Sequence, residues 1–263
     1  MKKILAVAAV LSAVCPAAFA QDGRDPLLTR PGLEVGAQAA HYHYEEPNVA
    51  KLIGLRVGGV GAFTFTQGDA FFKADGRISL GDLKYQGTGT QNSVPDFIFE
   101  VRFVAGADLQ AEGGVVFSPY AGLGYRYLYN DLRGYTRSGG VLYAGYRRYS
   151  NYLYAPLGLT LRTGLSNGWV LAPTVEYDFF IRGSQTSMLS DAGLGDPNVT
   201  NAQNSGSGYR LALMAEKDHF VIGPWMHYWN IKDSERAALG GGRFGFEPEN
   251  WTREIGVEVR YRF

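Results

Sequence analysis

The chain has little cysteine. Its only one, Cys15, lies within the first twenty residues. The rest of the sequence can therefore form no disulfide framework and no thiolate site for a metal or a nucleophile. Long hydrophobic runs are missing as well. Ile4 to Val14 is apolar but falls short of the roughly 20 residues a transmembrane helix needs, and nothing longer follows. Neither sign of charge dominates, with 25 Lys and Arg against 25 Asp and Glu. This balance gives no reason to expect nucleic acid as a partner.

What is present begins with an export signal. Lys2 and Lys3 precede the apolar run, and Ala18-Phe19-Ala20 supplies the small residues a signal peptidase reads. Residues 1–20 are expected to be cleaved before Gln21, leaving one domain over 21–263. Val14 and Pro16 on either side of Cys15 argue against a lipoprotein signal. Without Lys2 and Lys3 the balance is 23 basic to 25 acidic residues, near −2. At the other end, Ile255 to Phe263 alternates apolar and polar residues without a break. A strand with lipid on one face and a polar lumen on the other needs this pattern. Tyr261 and Phe263 are the expected assembly signal, to be recognised by the barrel-assembly machinery. A soluble β-sandwich ending on an amphipathic strand is the competing reading, which the export signal disfavours.

Composition points the same way. Glycine (35), tyrosine (17) and phenylalanine (15) are abundant, as expected of two-faced strands with aromatic girdles. Alternating segments fall at about 33–44, 53–66, 70–84, 97–107, 114–128, 151–164, 169–182, 208–216, 219–231 and 251–263. Connections at 45–52, 85–96, 129–150, 183–207 and 232–250 are long. Those at 67–69, 108–113, 165–168 and 217–218 are short. This alternation of extracellular loops with periplasmic turns predicts an all-β fold. The expected architecture is a transmembrane antiparallel up-and-down β-barrel of ten strands, with eight the rival count.

Parity then assigns faces. Glu254, Glu258, Arg260, Arg262, Arg210, Glu216, Glu176, Asp178, Arg182, Glu100, Arg102, Lys73, Asp75, Arg77, Arg56, Arg126 and Arg162 are expected inside. An arginine facing lipid at mid-membrane costs about 2–4 kcal/mol. A two-residue turn at Lys217-Asp218 would pair Glu216 with His219 and Ala215 with Phe220. That sends Trp225, His227 and Trp229 inward, where with Glu176 and Asp178 they form a candidate ligand cluster. Both signs mix in the lumen, which favours a salt-bridged plug over a selective pore lined by rings of one sign.

The segments His41-Tyr42-His43-Tyr44-Glu45-Glu46-Pro47 and Tyr149-Ser150-Asn151-Tyr152-Leu153-Tyr154-Ala155-Pro156-Leu157-Gly158, with the last strand, resemble a functionally uncharacterised family of proteobacterial outer-membrane β-barrel proteins. The resemblance implies the fold and no chemistry. An omptin-type protease needs acidic residues and a histidine at the extracellular rim. The adjacent pair Asp218-His219 falls in an expected periplasmic turn. No histidine has a serine two residues later, as barrel lipid A deacylases require. His41 and His43 share a strand face with Glu45, but polar decoration of the rim is favoured over a metal site. Asn198-Val199-Thr200 and Asn250-Trp251-Thr252 are chance triplets in a bacterium, and Gly240-Gly241-Gly242 is surface loop.

These readings lead to a non-enzymatic surface barrel without cofactor or metal. Its loops would contact an external partner or lipopolysaccharide. A narrow solute channel is the alternative, and an outer-membrane hydrolase the third. The candidate contact region is 129–150. Arg133, Tyr135, Arg137, Tyr143, Tyr146, Arg147 and Arg148 combine aromatic anchors with guanidinium groups that suit phosphate.

Overall fold

A lipid-embedded chain must satisfy its backbone hydrogen bonds internally, and for strands this means a closed barrel. The structure is a computed structural model that describes residues 24–193 and 195–263. The export signal expected over 1–20 lies outside these residues. The strands, in chain order, are β1 (Gly32–Glu46), β2 (Ala50–Gln67), β3 (Ala70–Gly87), β4 (Gly89–Ala107), β5 (Leu109–Ala111), β6 (Val115–Ser138), β7 (Val141–Gly164), β8 (Val170–Ser187), β9 (Val199–Gln203), β10 (Gly206–Lys217), β11 (Phe220–Ile231), β12 (Ala237–Gly240), β13 (Arg243–Gly245) and β14 (Asn250–Arg262). Ten of them, β1, β2, β3, β4, β6, β7, β8, β10, β11 and β14, pair in sequence order. The pairing of β8 with β10 and of β14 with β1 closes the ring. Every barrel pairing is antiparallel. The eight-strand rival is excluded.

The faces follow the parity read from the sequence. Ile255, Val257, Val259, Tyr261 and Phe263 are exposed to the lipid side, as are Leu211, Leu213, Val175, Phe103 and Leu80. Glu254, Arg262, Arg210, Glu176, Glu100, Arg56 and Arg126 are buried inside. Arg182 is the exception. Leu153 pairs with Arg182 but Tyr154 pairs with Phe180, so Ile181 is an extra residue in β8. One bulged residue reverses all side-chain directions beyond it. Phe180 therefore packs inward on Tyr152, with ring centroids 5.5 Å apart, while Arg182 points out and is exposed.

The turn between β10 and β11 also differs in detail. Lys217 pairs with Phe220, so the two turn residues are Asp218 and His219 rather than Lys217 and Asp218. Glu216 pairs with Val221 and Ala215 with Ile222. The shift is two residues, so parity is unchanged. Trp225, His227 and Trp229 still turn inward.

Three segments expected as long loops are largely strand. Only 47–49 separates β1 from β2, only Thr88 separates β3 from β4, and only Gly139 and Gly140 separate β6 from β7. Both glycines have positive φ, 57° and 83°, as a tight hairpin turn of this hand requires. Region 129–150 is thus a two-stranded ribbon rising above the barrel. From Tyr129 to Ser138 it adds roughly 30 Å of strand. Above the membrane one face no longer meets lipid, so the alternating pattern lapses while backbone pairing continues.

Candidate functional site

The lumen is built in tiers. At the periplasmic end, Glu34 on β1 accepts hydrogen bonds from Arg260 (2.7 Å) and Arg262 (2.7 Å) on β14. Arg262 also reaches Glu216 at 3.0 Å, and Arg260 pairs with Glu258 at 2.9 Å. Higher up, Arg102 clamps Asp75 (2.8 Å) and Glu176 (2.6 Å), and the Tyr120 hydroxyl donates to Glu176 at 2.7 Å. The middle tier centres on two carboxylates. Glu254 receives both terminal nitrogens of Arg77, at 2.8 and 3.1 Å, and Arg126 at 3.3 Å. Glu100 receives Arg77 and the Tyr154 hydroxyl, each at 2.7 Å, and also Arg210. Arg210 further binds Asp178 at 2.8 Å. Such fork-shaped, charge-assisted pairs are the strong class of hydrogen bond.

The extracellular half of the lumen is closed by packed side chains. Tyr42, Leu52, Leu83, Val94, Ile98, Leu128, Tyr152, Tyr154, Trp229 and Ile231 form one buried cluster. Trp229 lies 5.0 Å from Tyr154 and 5.9 Å from Tyr152 between ring centroids. The Arg56 guanidinium sits 3.5 Å over the Tyr42 ring and pairs with Asp96. Arg148 caps this plug. It donates to Glu46 at 2.7 Å and to the Tyr44 hydroxyl at 3.3 Å, and it also pairs with Glu247.

The periplasmic mouth is crossed by residues 24–31, which run under the barrel as a strap. Thr29 donates to Asp108 through its backbone N–H and its hydroxyl, both at 2.7 Å. Ser118 donates to the same carboxylate at 2.6 Å. Arg24 reaches the Gly68 carbonyl, and Arg30 reaches the Asp218 carbonyl at 2.9 Å on the opposite side of β1. Asp108 is thus the latch of the strap.

The five residues grouped as a lumenal ligand cluster are brought together in part. Glu176, Trp225 and His227 line one cavity in the lower lumen, the two rings 4.6 Å apart between centroids. Glu176 is also held by Arg102, and Asp178 pairs with Arg210 in the middle of the barrel. Trp229 belongs to the plug above them. The first strand's contribution, Glu34, Gln38, Tyr42, Tyr44 and Glu46, was not assigned from the sequence. Its inward phase was readable from the same alternation. Tyr152 and Tyr154 on β7 are buried lumen residues as well.

The loop candidates also divide. Arg148 is no surface contact, because its strand phase turns it inward onto Glu46 and Glu247. Arg147 is held by Asp191 at 2.7 and 2.8 Å, and Arg133 by Asp131 at 2.6 and 2.8 Å. The Arg147 guanidinium holds the Asp191 carboxyl below its ordinary range, at about 2. Tyr135 is 69% exposed, Val141 53%, Leu142 50% and Tyr143 38%. Tyr146 lies on the face that continues the lumen side and is half-buried. Below the ribbon, the ring pairs Phe97–Tyr127, Tyr129–Tyr149, Tyr177–Tyr209 and Tyr228–Trp251 form a lipid-side girdle. At the other end Tyr261 stacks on His219 and meets Phe263, with centroids 5.2 and 5.0 Å apart.

A closed barrel with an apolar, aromatic-girdled outside and a charged inside is a transmembrane barrel of the bacterial outer membrane. No protein-family model and no curated protein matches the chain. Solved structures do. The outer membrane protease OmpT from Escherichia coli superposes with a TM-score of 0.54 at 11% identity, over 91% of this chain and 100% of that one. The β domain of the Bordetella autotransporter BrkA gives 0.42 at 13% identity, over 88% and 100%. The translocator domain of autotransporter NalP from Neisseria meningitidis gives 0.39 at 15% identity, over 89% and 90%. At such identities the likeness to OmpT bears on the fold alone.

Proposed function

We propose that this barrel is a non-enzymatic surface protein, closed by its own side chains, that contacts an external partner through the β6–β7 ribbon. The observation that carries the reading is the exposure of Tyr135, Val141, Leu142 and Tyr143 above the girdle, beside Arg133 and Arg147, whose charges are already paired, and the exposed Arg137 opposite Leu142, which makes no ion pair among the described residues. Aromatic and aliphatic anchors on a projecting ribbon suit a protein-sized partner better than a phosphate. The protease activity of OmpT is not carried over. Asp218-His219 stands at the periplasmic turn, away from the ribbon. The resemblance of 41–47 and 149–158 to an uncharacterised barrel family adds no chemistry.

Substituting Tyr135, Val141 and Leu142 by serine is expected to abolish surface attachment while leaving a heat-modifiable barrel. Attachment equal to the parent would refute the ribbon's role. The closed lumen is tested separately in planar bilayers, where steady open-channel currents from the wild type would favour the narrow solute channel.

Contact with lipopolysaccharide phosphates finds better support elsewhere. Arg253 on β14 pairs with His43, Lys51 on β2 with Glu45, and Lys84 on β3 with Ile53. All three point outward at the extracellular edge of the apolar band, where a cation costs little. None makes an ion pair among the described residues. Changing all three to glutamine should lower the lipopolysaccharide that co-purifies. An unchanged amount would leave them as plain rim residues.

A further inference from the structure

Among the arginine–carboxylate tiers the lumen holds a cavity of about 200 Å³. Thr29 and Arg30 of the strap border it at the periplasmic end, and Trp225 and His227 stand in its wall toward the plug. Its charge is one-sided: eight cationic side chains line it against six carboxylates. The carboxylates are engaged: Glu34 takes Arg260 and Arg262, Glu216 takes Arg262, Glu258 takes Arg260, and Asp75 and Glu176 take Arg102. Lys73, also in the wall, makes neither an ion pair nor a hydrogen bond among the described residues. Arg162 donates to the Ser118 hydroxyl at 2.7 Å, but Asp108 and Glu216 lie 3.8 and 4.0 Å away.

A cavity whose wall holds more cations than carboxylates, Lys73 unpaired among them, matches an anionic ligand. We infer that it is a binding site for a small oxyanion, held by Lys73, Arg162, Arg260 and Arg262 and reached past the strap from the periplasm. Ammonium and guanidinium donors form their strongest hydrogen bonds with anionic oxygens, and every oxygen of a phosphate can accept. The cavity has room for an inorganic phosphate with a few waters. Trp225 and His227 then stand as wall beside this anion, not as an aromatic clamp for an apolar solute.

The test is titration of the purified, folded barrel with inorganic phosphate by calorimetry. Saturable binding with a Kd of about 1 mM or tighter is expected. Lys73→Met removes a group with no partner to orphan and should weaken binding at least about tenfold without lowering the unfolding midpoint. Arg137→Ser, on the distant ribbon, should leave binding unchanged. In a second measurement, phosphate should slow the reaction of Thr174→Cys, in the cavity wall, with a small thiol reagent. No saturable binding, or binding that Lys73→Met does not alter, would overturn the site. So would equal weakening by Arg137→Ser.

Discussion

The two halves of the lumen are made from the same residue types and end differently. In the extracellular half, arginines stack on aromatic rings and share carboxylates, and Trp229, Tyr154 and Tyr152 fill the remaining space. In the periplasmic half, charged side chains pair around a cavity instead of filling it. The difference lies in the small change of aromatic content per strand. Tyr42, Tyr44, Tyr152 and Tyr154 enter only from the middle tier upward, while Gly36, Ala62 and Ala172 stand at inward phases lower in the barrel. Rings crowd the extracellular half, while charged pairs in the periplasmic half leave space between them.

The strongest test of this contrast sets Glu254 against Glu258. Glu254→Ala leaves Arg77 and Arg126 in a buried tier without their shared carboxylate, and should cost roughly 3–5 kcal/mol in urea unfolding from vesicles. Glu258→Ala, whose partner Arg260 keeps Glu34, should cost under about 1 kcal/mol. Equal losses would erase the distinction between the tiers.

Next, Trp229→Ala should destabilise by about 3 kcal/mol and open the extracellular half to measurable conductance. Trp225→Ala should enlarge the lower cavity without producing a current. A silent Trp229→Ala barrel would show that the plug does not depend on this ring.

A smaller effect is expected at the strap. Asp108→Ala removes two hydrogen bonds from Thr29, each to a charged acceptor and of a class worth about 1.5–3 kcal/mol. Because the strap is peripheral, the outcome should be faster thiol labelling of Thr174→Cys with a nearly unchanged unfolding midpoint. Unchanged labelling would mean that the strap does not control access.

The least effect belongs to the extracellular pair. Asp191 is depressed to about 2 by Arg147, chiefly through their side-chain hydrogen bonds. A depressed carboxylate stabilises above its unfolded pKa, and that contribution is lost as pH falls through the folded value. Protection of the 188–193 amides, relative to their intrinsic exchange at each pH, should therefore hold down to about pH 3 and fall as pH approaches 2. In Asp191→Asn protection should be lower at neutral pH and independent of acid. A wild-type loss of protection already near pH 5 would contradict the pairing.

The ten strands, their order and nearly all their faces were legible in the sequence, because lipid on one side and a polar lumen on the other impose a two-residue period. Glu100, Glu176, Arg210, Glu254 and Arg262 could be placed inside by counting alone. Counting failed where the period was interrupted or no longer enforced. Ile181 reverses Arg182 and Phe180 through a bulge that leaves no compositional mark. The ribbon looked like loop because no lipid selects its residues. The even phase that carries Tyr152 and Tyr154 into the lumen also carries Arg148 there, because β7 runs unbroken through 141–150.

What the sequence by itself determined is thus the set of side chains entering the lumen and the set facing lipid, since a strand's direction and parity suffice for both. Which lumenal groups meet, and which stay unmatched, was decided only by the closed barrel. Closure and strand stagger bring Arg77 of β3 to Glu254 of β14 and Arg102 of β4 to Glu176 of β8. The same geometry leaves Lys73 beside a cavity without a carboxylate to hold it. These are contacts across the barrel between residues far apart in the chain, and no local pattern encodes the distance between them.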